Sequence, residues 1–467
     1  MTEPAIEKLA SLDSLQSPSP QITELMKIAG IADLSLGVYR PGEPIHYANF
    51  GYRDVASKLH VTEQMISASC SLTKLFTAQS MAHIMTITDV LSHRTGMSDG
   101  NVIFGSENNF IIGHEDSVKF LNDQVPIGPF RGQIRYNNLG YNIAGLVVDK
   151  VACSWADTFR RKLFQPLGMG RTFTGRPPLD TENVAKAYNT LDDSTPVEIP
   201  LVKAGEAVFA GSSGGIFTCM VKAINCRFGS GQSPTNSPFK RVEDIVSAKV
   251  PMNQPTILES SYAFGIARTQ LPGSMGHIGS NPELMPDGKM SIVAKGTLSR
   301  LGCLPGALSA IAMIPELEIV VVVIMSNSFA LNDCPDLVLQ LALEHLLHAP
   351  HRNDYVALVR QSVNHTLQWY DKTLKSLRDE GKSGTSSRDL EMYVEVAIHD
   401  GKLYWALQGL DSGEFGLGHF GGDTFLWVRS QNFMVRRGRC DFNPVSSFLV
   451  LSLKAAKSHN VVSIYYY

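Results

Sequence analysis

Ser71-Leu72-Thr73-Lys74 opens a segment whose apolar periodicity runs to Met85, which predicts a helix over 71–85. Residues three apart share a helical face, so the Lys74 amine falls within hydrogen-bond reach of the Ser71 hydroxyl. An amine that burial or a neighbouring charge keeps free of its proton can take the serine proton and turn a weak hydroxyl into a nucleophile. The pattern alone is not specific. It recurs at Ser237-Pro238-Phe239-Lys240, and an ordinary helix start is the plainer account of either copy taken singly. Tyr136-Asn137-Asn138 alters the weighing. On a loop leading into a predicted helix over 140–151, Tyr136 and Asn138 present a phenol and a carboxamide in the same direction, a proton shuttle beside a group that fixes substrate and lysine. Had Ser71 and Lys74 been absent, a tyrosine packed at a helix start would be preferred.

The segments on either side read as strands. Leu34 to Tyr39 and Ile45 to Phe50 alternate around Arg40-Pro41-Gly42-Glu43, where proline fixes the first turn position and glycine tolerates the left-handed second, so a hairpin is expected. Leu308 to Ile314, Pro315-Glu316-Leu317-Glu318 and Ile319 to Met325 spell a second hairpin, and the unbroken aliphatic run of its later arm suits a strand covered on both faces. Asp333-Cys334-Pro335 then caps a buried helix over 337–347. The middle reads as helices and loops, with a further helix over 155–163 and a Ser-, Pro- and Gly-rich exposed excursion over 225–259. Outer strands around a helical insert imply an α+β or three-layer fold. A polar helix over 354–380 and a linker over 381–389 precede a tail in which His399-Asp400-Gly401 marks a hairpin of a small β module.

Composition narrows the partners. Of 467 residues 44% are hydrophobic, which describes a globular chain, and Lys+Arg 41 against Asp+Glu 44 leaves no basic field for a nucleic acid. The longest aliphatic stretch, 319–325, is far short of the ~20 residues a membrane helix needs, so no spanning segment is expected. The first residues mix Glu3, Glu7, Lys8 and Asp13 with Ser and Pro rather than a basic start and an apolar core, giving a cytoplasmic expectation. Seven scattered cysteines without a Cys-x-x-Cys pair signal neither a disulfide framework nor a zinc ribbon. His345-Leu346-Leu347-His348 lacks zinc-ligand spacing, and neither metal nor cofactor is expected.

Taken together, these motifs resemble the serine β-lactamase and penicillin-binding-protein family, especially its class C-like esterase, transesterase and D-aminopeptidase branch. The resemblance is carried, in family order from about Leu34 to His348, by Asn49 to Asp54, Asp89 to Met97, Tyr136 to Leu146, Pro166 to Met169 and Gly302 to Pro315. It implies an α+β fold, a β-lactamase/transpeptidase-like antiparallel sheet flanked by helices with a helical subdomain. It also implies roles: Ser71 the acylated nucleophile, Lys74 and Tyr136 the proton-handling pair, Asn138 the orienting group, and His93 a structural position rather than a base. Where the family has Lys- or His-x-Gly on the strand edging the site, this chain has Arg300-Leu301-Gly302, a permanent cation that can attract a substrate carboxylate or an oxyanion but cannot donate a proton near neutrality. A solvated strand-end arginine is an equal alternative. By the same resemblance the backbone N–H groups of Ser71 and Cys303 form the oxyanion hole. One family segment, a glycine-containing turn followed by Asp-x-Pro-Val, is missing between Met85 and Thr86, which puts the bracing of the Ser71 helix, and activity with it, in question.

The tail from about Leu390 resembles the β-barrel-like C-terminal module of some fungal members. The expected organisation is an N-terminal segment (1–29), a β-lactamase-like domain (30–352), a helix and linker (353–389) and an all-β domain (390–467). The expected function is a serine hydrolase or acyltransferase acting through an acyl-serine intermediate on a small-molecule ester or amide of secondary metabolism; a non-catalytic binding or scaffold relative is the alternative. Two rival motifs are weaker. Gly211-Ser212-Ser213-Gly214-Gly215 spells a nucleophile elbow with Asp244 and His277 as partners, but the repeated parallel βα units of that fold are not legible upstream. Gly416 to Gly421 spells a dinucleotide fingerprint, yet a strand rather than a helix follows it.

Overall fold

The computed structural model describes residues 10–74, 88–98, 112–122, 124, 126–203, 214–219, 238–239, 241–252, 258–271, 275, 284, 294–325, 333–349, 352–368, 370–372, 375, 394–407, 415–421, 424–426, 430–436, 449–452 and 463–466. The order is α1 (Ser19–Ala29), β1 (Asp33–Tyr39), β2 (His46–Asp54), β3 (Leu59–His60), β4 (Ile66–Ala68), α2 (Thr88–Leu91), α3 (Ser117–Asn122), α4 (Asn138–Ala152) and α5 (Trp155–Phe159). There follow β5 (Ala187–Thr190), β6 (Pro196–Ile199), β7 (Phe217–Cys219), α6 (Val242–Val246), β8 (Val250–Pro251), β9 (Ser260–Tyr262) and β10 (Ala267–Leu271). The long strands β11 (Ala294–Leu304), β12 (Ala307–Ile314) and β13 (Ile319–Met325) lead into α7 (Cys334–Leu346) and α8 (Tyr355–Leu367).

Nine strands form one antiparallel sheet in the order β3-β2-β1-β13-β12-β11-β10-β9-β8. Both expected hairpins are present. Val38 pairs with His46 around a turn whose Gly42 has φ 81, and Ile314 pairs with Ile319 around Glu318 at φ 54. The aliphatic run of β13 exists because strand residues alternate between faces that are both covered. Ile319, Val321, Val323 and Met325 join the core under α1 and α7, while Val320, Val322 and Ile324 join a second core on the opposite face with Leu72 and Ile311. Each such side chain gains about 1.5–3 kcal/mol on leaving water. The centre of the sheet is therefore covered on both faces, and the Ser71 turn packs on it against β11 and β12.

α7 is buried almost all round, Asp336, Gln340 and Glu344 included. Its polar stripe is satisfied internally: Gln340 Nε2 donates to Asp336 Oδ2 at 2.9 Å, and the Asn353 main-chain and side-chain nitrogens donate to Glu344. Desolvation, with the charge of Asp333 added to it, pushes the Asp336 carboxyl up to about 7.

The middle holds more strand than its composition suggests: β4 pairs with β7, and β5 with β6. Part of the segment expected to be an exposed excursion is instead core, since Ile245 and Val250 are buried and β8 closes the sheet edge. The helix expected over 155–163 runs as α5 and then widens into a π turn over Arg160–Phe164. In the tail, β14 (Val394–His399), β15 (Lys402–Leu407) and β16 (Phe415–Gly416) form one sheet, and β17 (Gly418–Gly421), β18 (Thr424–Leu426), β19 (Leu449–Ser452) and β20 (Ser463–Tyr466) form another. Asp400 and Gly401 turn the first hairpin at φ 50 and 71, a two-residue turn with both central residues left-handed. Between β18 and β19, α9 (Gln431–Arg436) meets the β5–β6 hairpin, with Val435 buried against Leu191 and its carbonyl accepting from Asn189 Nδ2 at 2.9 Å. No helix among the described residues is long and apolar enough to cross a membrane.

Candidate active site

β4 delivers the chain into a single tight turn, Cys70–Leu72, which places Ser71 at its centre. Cys70 takes the left-handed conformation (φ 52), and its side chain anchors the turn in a cluster with Ile66, Ala68, Phe217, Leu304 and Ala307. Burial pushes the Cys70 thiol far above its usual value, so it stays protonated and donates to Ala307 O at 3.4 Å. The turn is braced on two sides. Ser69 N and Oγ both donate to Ile216 O, at 2.9 and 2.8 Å, and Ile216 N donates to Thr73 Oγ1 at 3.2 Å. From the sheet, Ser309 Oγ on β12 donates to Ser69 O at 2.9 Å, and all three hydroxyl residues are buried. No sequence signal marked Ser69, Thr73 or Ser309, because ordinary serines and threonines become braces only through partners far along the chain.

Four of the sequence-predicted residues converge here. Lys74 is fully buried, and its Nζ donates to Ser71 Oγ at 3.2 Å and to Asn138 Oδ1 at 2.8 Å. Tyr136 Oη lies 3.0 Å from Ser71 Oγ, and the Tyr136 and Tyr141 rings stand 5.3 and 5.4 Å from the Lys74 amine. Ser71 is half-buried and Tyr136 exposed, so the hydroxyl, phenol and amine form a chain of polar atoms running from the surface into the interior. Such a chain can carry a proton inward from a hydroxyl that attacks a carbonyl.

The second half of the cluster is set by a helix start. Asn137 caps α4, its Oδ1 accepting Gly140 N at 2.8 Å, while its Nδ2 donates to Thr95 Oγ1 and Met97 O at 3.3 and 3.2 Å. That leaves Asn138 at the first helical position to meet Lys74. The preceding loop is held by Gly96, left-handed at φ 72, whose carbonyl accepts Ile127 N and Gly128 N at 2.8 and 3.1 Å; a Cβ there would run into Gly128 O.

β11 runs beside the Ser71 turn. In the register of β11 with β12, Arg300 pairs with Ile311, Gly302 with Ser309 and Cys303 with Leu308. β10 pairs with β11 only as far as Ser299, so from Arg300 onward that strand edge has no partner strand among the described residues. Of the other expectations, the helix beyond Lys74, the junction of Met85 with Thr86, Ser213, His277 and the 381–389 linker lie outside the described residues. Asp244 is an exposed ion-pair partner of Arg241, and β18, a strand, follows the Gly416–Gly421 spelling. Among the described residues no group of His, Cys, Asp and Glu is arranged to hold a metal.

The architecture, a mixed helix and antiparallel-sheet fold, is similar to that of penicillin-binding proteins. The chain belongs to the Beta-lactamase family, whose model matches residues 21–84 and 79–347. The two matched blocks overlap at 79–84, next to Met85 and Thr86, between which a family segment is expected to be missing. Over 450 residues the chain is 25% identical to the unguisins hydrolase ungD of Aspergillus violaceofuscus, covering 83% of this chain and 75% of that protein. A 94-residue match to unguisins hydrolase ungD' of Aspergillus campestris is 34% identical but spans only 19% of this chain and 17% of that protein. An octameric penicillin-binding protein homologue from Pyrococcus abyssi shares the fold with a TM-score of 0.58 at 16% identity, over 97% of this chain and 99% of that one.

Proposed function

We propose that the chain is a serine hydrolase or acyltransferase that works through a covalent acyl-Ser71 ester. The observation that carries this reading is the continuous contact from Tyr136 Oη through Ser71 Oγ to Lys74 Nζ, at 3.0 and 3.2 Å. Ser71 Oγ attacks the substrate carbonyl carbon while its proton passes to a neutral Lys74 amine or to a Tyr136 phenolate that Lys74 stabilises as an ammonium. The bond from carbonyl carbon to the leaving oxygen or nitrogen breaks, and the same proton goes to the leaving group. Water, an alcohol or an amine then attacks the ester, surrenders its proton through the same pair, and returns Ser71 to its hydroxyl form. Asn138 holds Lys74 in place, the amides of Ser71 and Cys303 receive the oxyanion, and Arg300 with Gly302 borders the substrate on the open edge of β11. The substrate we favour is a small ester or amide of secondary metabolism; the hydrolase part of the reading is supported by the names of the two Aspergillus relatives, both unguisins hydrolases.

A second reading, a non-catalytic binding or scaffold relative, is favoured by the family segment expected to be missing between Met85 and Thr86 and by Arg300 where the family has Lys or His. The two separate in a stopped-flow experiment with p-nitrophenyl butyrate. The enzyme reading expects a burst of p-nitrophenol stoichiometric with protein, lost in Ser71→Ala. A folded wild-type protein with no burst and no turnover on a panel of esters and amides would support the scaffold reading instead.

A further inference from the structure

We propose that His93 is a positioning residue that works through Tyr136, clamping it by the backbone N–H groups of its two flanking residues, Arg135 and Asn137, while bearing a proton only on Nε2. The inference rests on the acyl-Ser71 reading above and adds to it a residue that touches neither Ser71 nor Lys74 in that reading.

Three contacts from one side chain and its own carbonyl converge on a single neighbour. Arg135 N donates to His93 O at 3.0 Å, Asn137 N donates to His93 Nδ1 at 3.2 Å, and the His93 ring lies 4.5 Å from the Tyr136 ring between centroids. Tyr136 is therefore pinned before, after and along its face. His93 itself has no exposure and sits in the left-handed region at φ 60, a conformation costing about 1–2 kcal/mol that persists only where surrounding contacts over-determine it. Its carbonyl contact to Arg135 and its ring contact to Asn137 are two of those that do so.

The same geometry fixes the tautomer. A peptide N–H points at Nδ1, so that nitrogen carries no proton, and a neutral ring then carries its hydrogen on Nε2, which donates to Tyr262 Oη at 3.1 Å. Both nitrogens are thus engaged, and His93 cannot serve as the base for Ser71. A histidine that merely filled the core would need two polar partners anywhere. Here one partner is the amide that follows Tyr136, and the ring also packs at 5.4 Å against Tyr141, whose own ring faces the Lys74 amine. A displacement of the Tyr136 phenol by about 1 Å is enough to cost roughly 10²-fold in rate.

The test is a double-mutant cycle read by the rate of labelling of Ser71 with a fluorophosphonate and by steady-state hydrolysis of p-nitrophenyl butyrate. His93→Leu keeps the volume and removes both hydrogen bonds; the labelling rate and kcat should fall about 10²-fold with KM changed by no more than a few-fold. In the Tyr136→Phe background the same substitution should cost less than about 3-fold, because its effect passes through the phenol. His93→Asn, whose Oδ1 can take the place of Nδ1, should recover most of the loss, and His93→Gln, whose amide reaches the Nε2 position, should not. If His93→Leu does not fold, the Asn and Gln variants decide alone: equal rates in the two overturn the inference. Additive losses in the cycle, or a folded His93→Leu that labels as fast as wild type, overturn it as well. A wild-type protein that takes no label removes the acyl-Ser71 reading, and this inference falls with it.

Discussion

At the scale of single residues, the candidate chemistry depends on hydrogen bonds no longer than 3.2 Å among Ser71, Lys74, Tyr136 and Asn138. Removing the amine in Lys74→Met or the phenol in Tyr136→Phe should lower kcat by about 10²–10⁴-fold, the range for a lost proton-transfer group, with circular dichroism unchanged. Ser71 and Lys74 were legible in the sequence because their contact is local, one turn apart, and Tyr136 and Asn138 because their spacing matches a family motif. The braces at Thr73 and Ser309 were not legible, since each gains its meaning from a backbone group more than 140 residues away. Away from the site, Asp336 makes stability depend on pH. Its carboxyl titrates near 4 in an unfolded chain and at about 7 when folded. The folded state holds the proton more tightly, so this group's contribution to stability is fully present below about pH 4, declines as pH climbs from about 4 to 7, and is lost above that. Asp336→Asn keeps an acceptor for Gln340 and should flatten this decline, raising the unfolding free energy at pH 8 by roughly 1–3 kcal/mol in urea titrations while changing it little at pH 4.

At the scale of elements, β12 and β13 couple the core to the site. The alternation that sends Leu308, Ala310 and Ala312 toward the helices sends Ser309 and Ile311 toward the Ser71 turn. Ser309→Ala removes one of the two donors to the buried Ser69 carbonyl, which keeps Leu72 N at 3.1 Å, and should cost about 0.5–1.5 kcal/mol in denaturant titrations. Ile324→Ala, which opens a cavity on the same face, should cost about 2–5 kcal/mol. The hairpins flanking the site were legible because turn chemistry and strand periodicity agree in them. The β4–β7 and β5–β6 pairs were not: each strand is three or four residues long, and the alternation of Phe217-Thr218-Cys219 is too brief to mark a strand or name its partner.

At the scale of the whole molecule, the tail reaches back to the part that carries the site. α9 sets Val435 against Leu191, Asn432 exchanges hydrogen bonds with Asp192, and Asn189 binds the Val435 carbonyl. Val435→Asp buries an unpaired carboxylate there and should lower the unfolding midpoint with a loss of roughly 1–3 kcal/mol; an unchanged midpoint would mean that this contact contributes nothing to stability. The β character of the tail was legible from Asp400-Gly401, whose left-handed pair demands a tight hairpin. Its docking through a short helix was not, because Gln431–Arg436 shows one apolar face too brief to reveal its partner.

The most direct measurement is peptide mapping by mass spectrometry after the folded, full-length chain is treated with a fluorophosphonate. The expected result is a single adduct on Ser71 that is lost in Lys74→Met. An adduct on Ser213 instead, or none on a protein shown to be folded, would contradict an acyl-serine mechanism at Ser71.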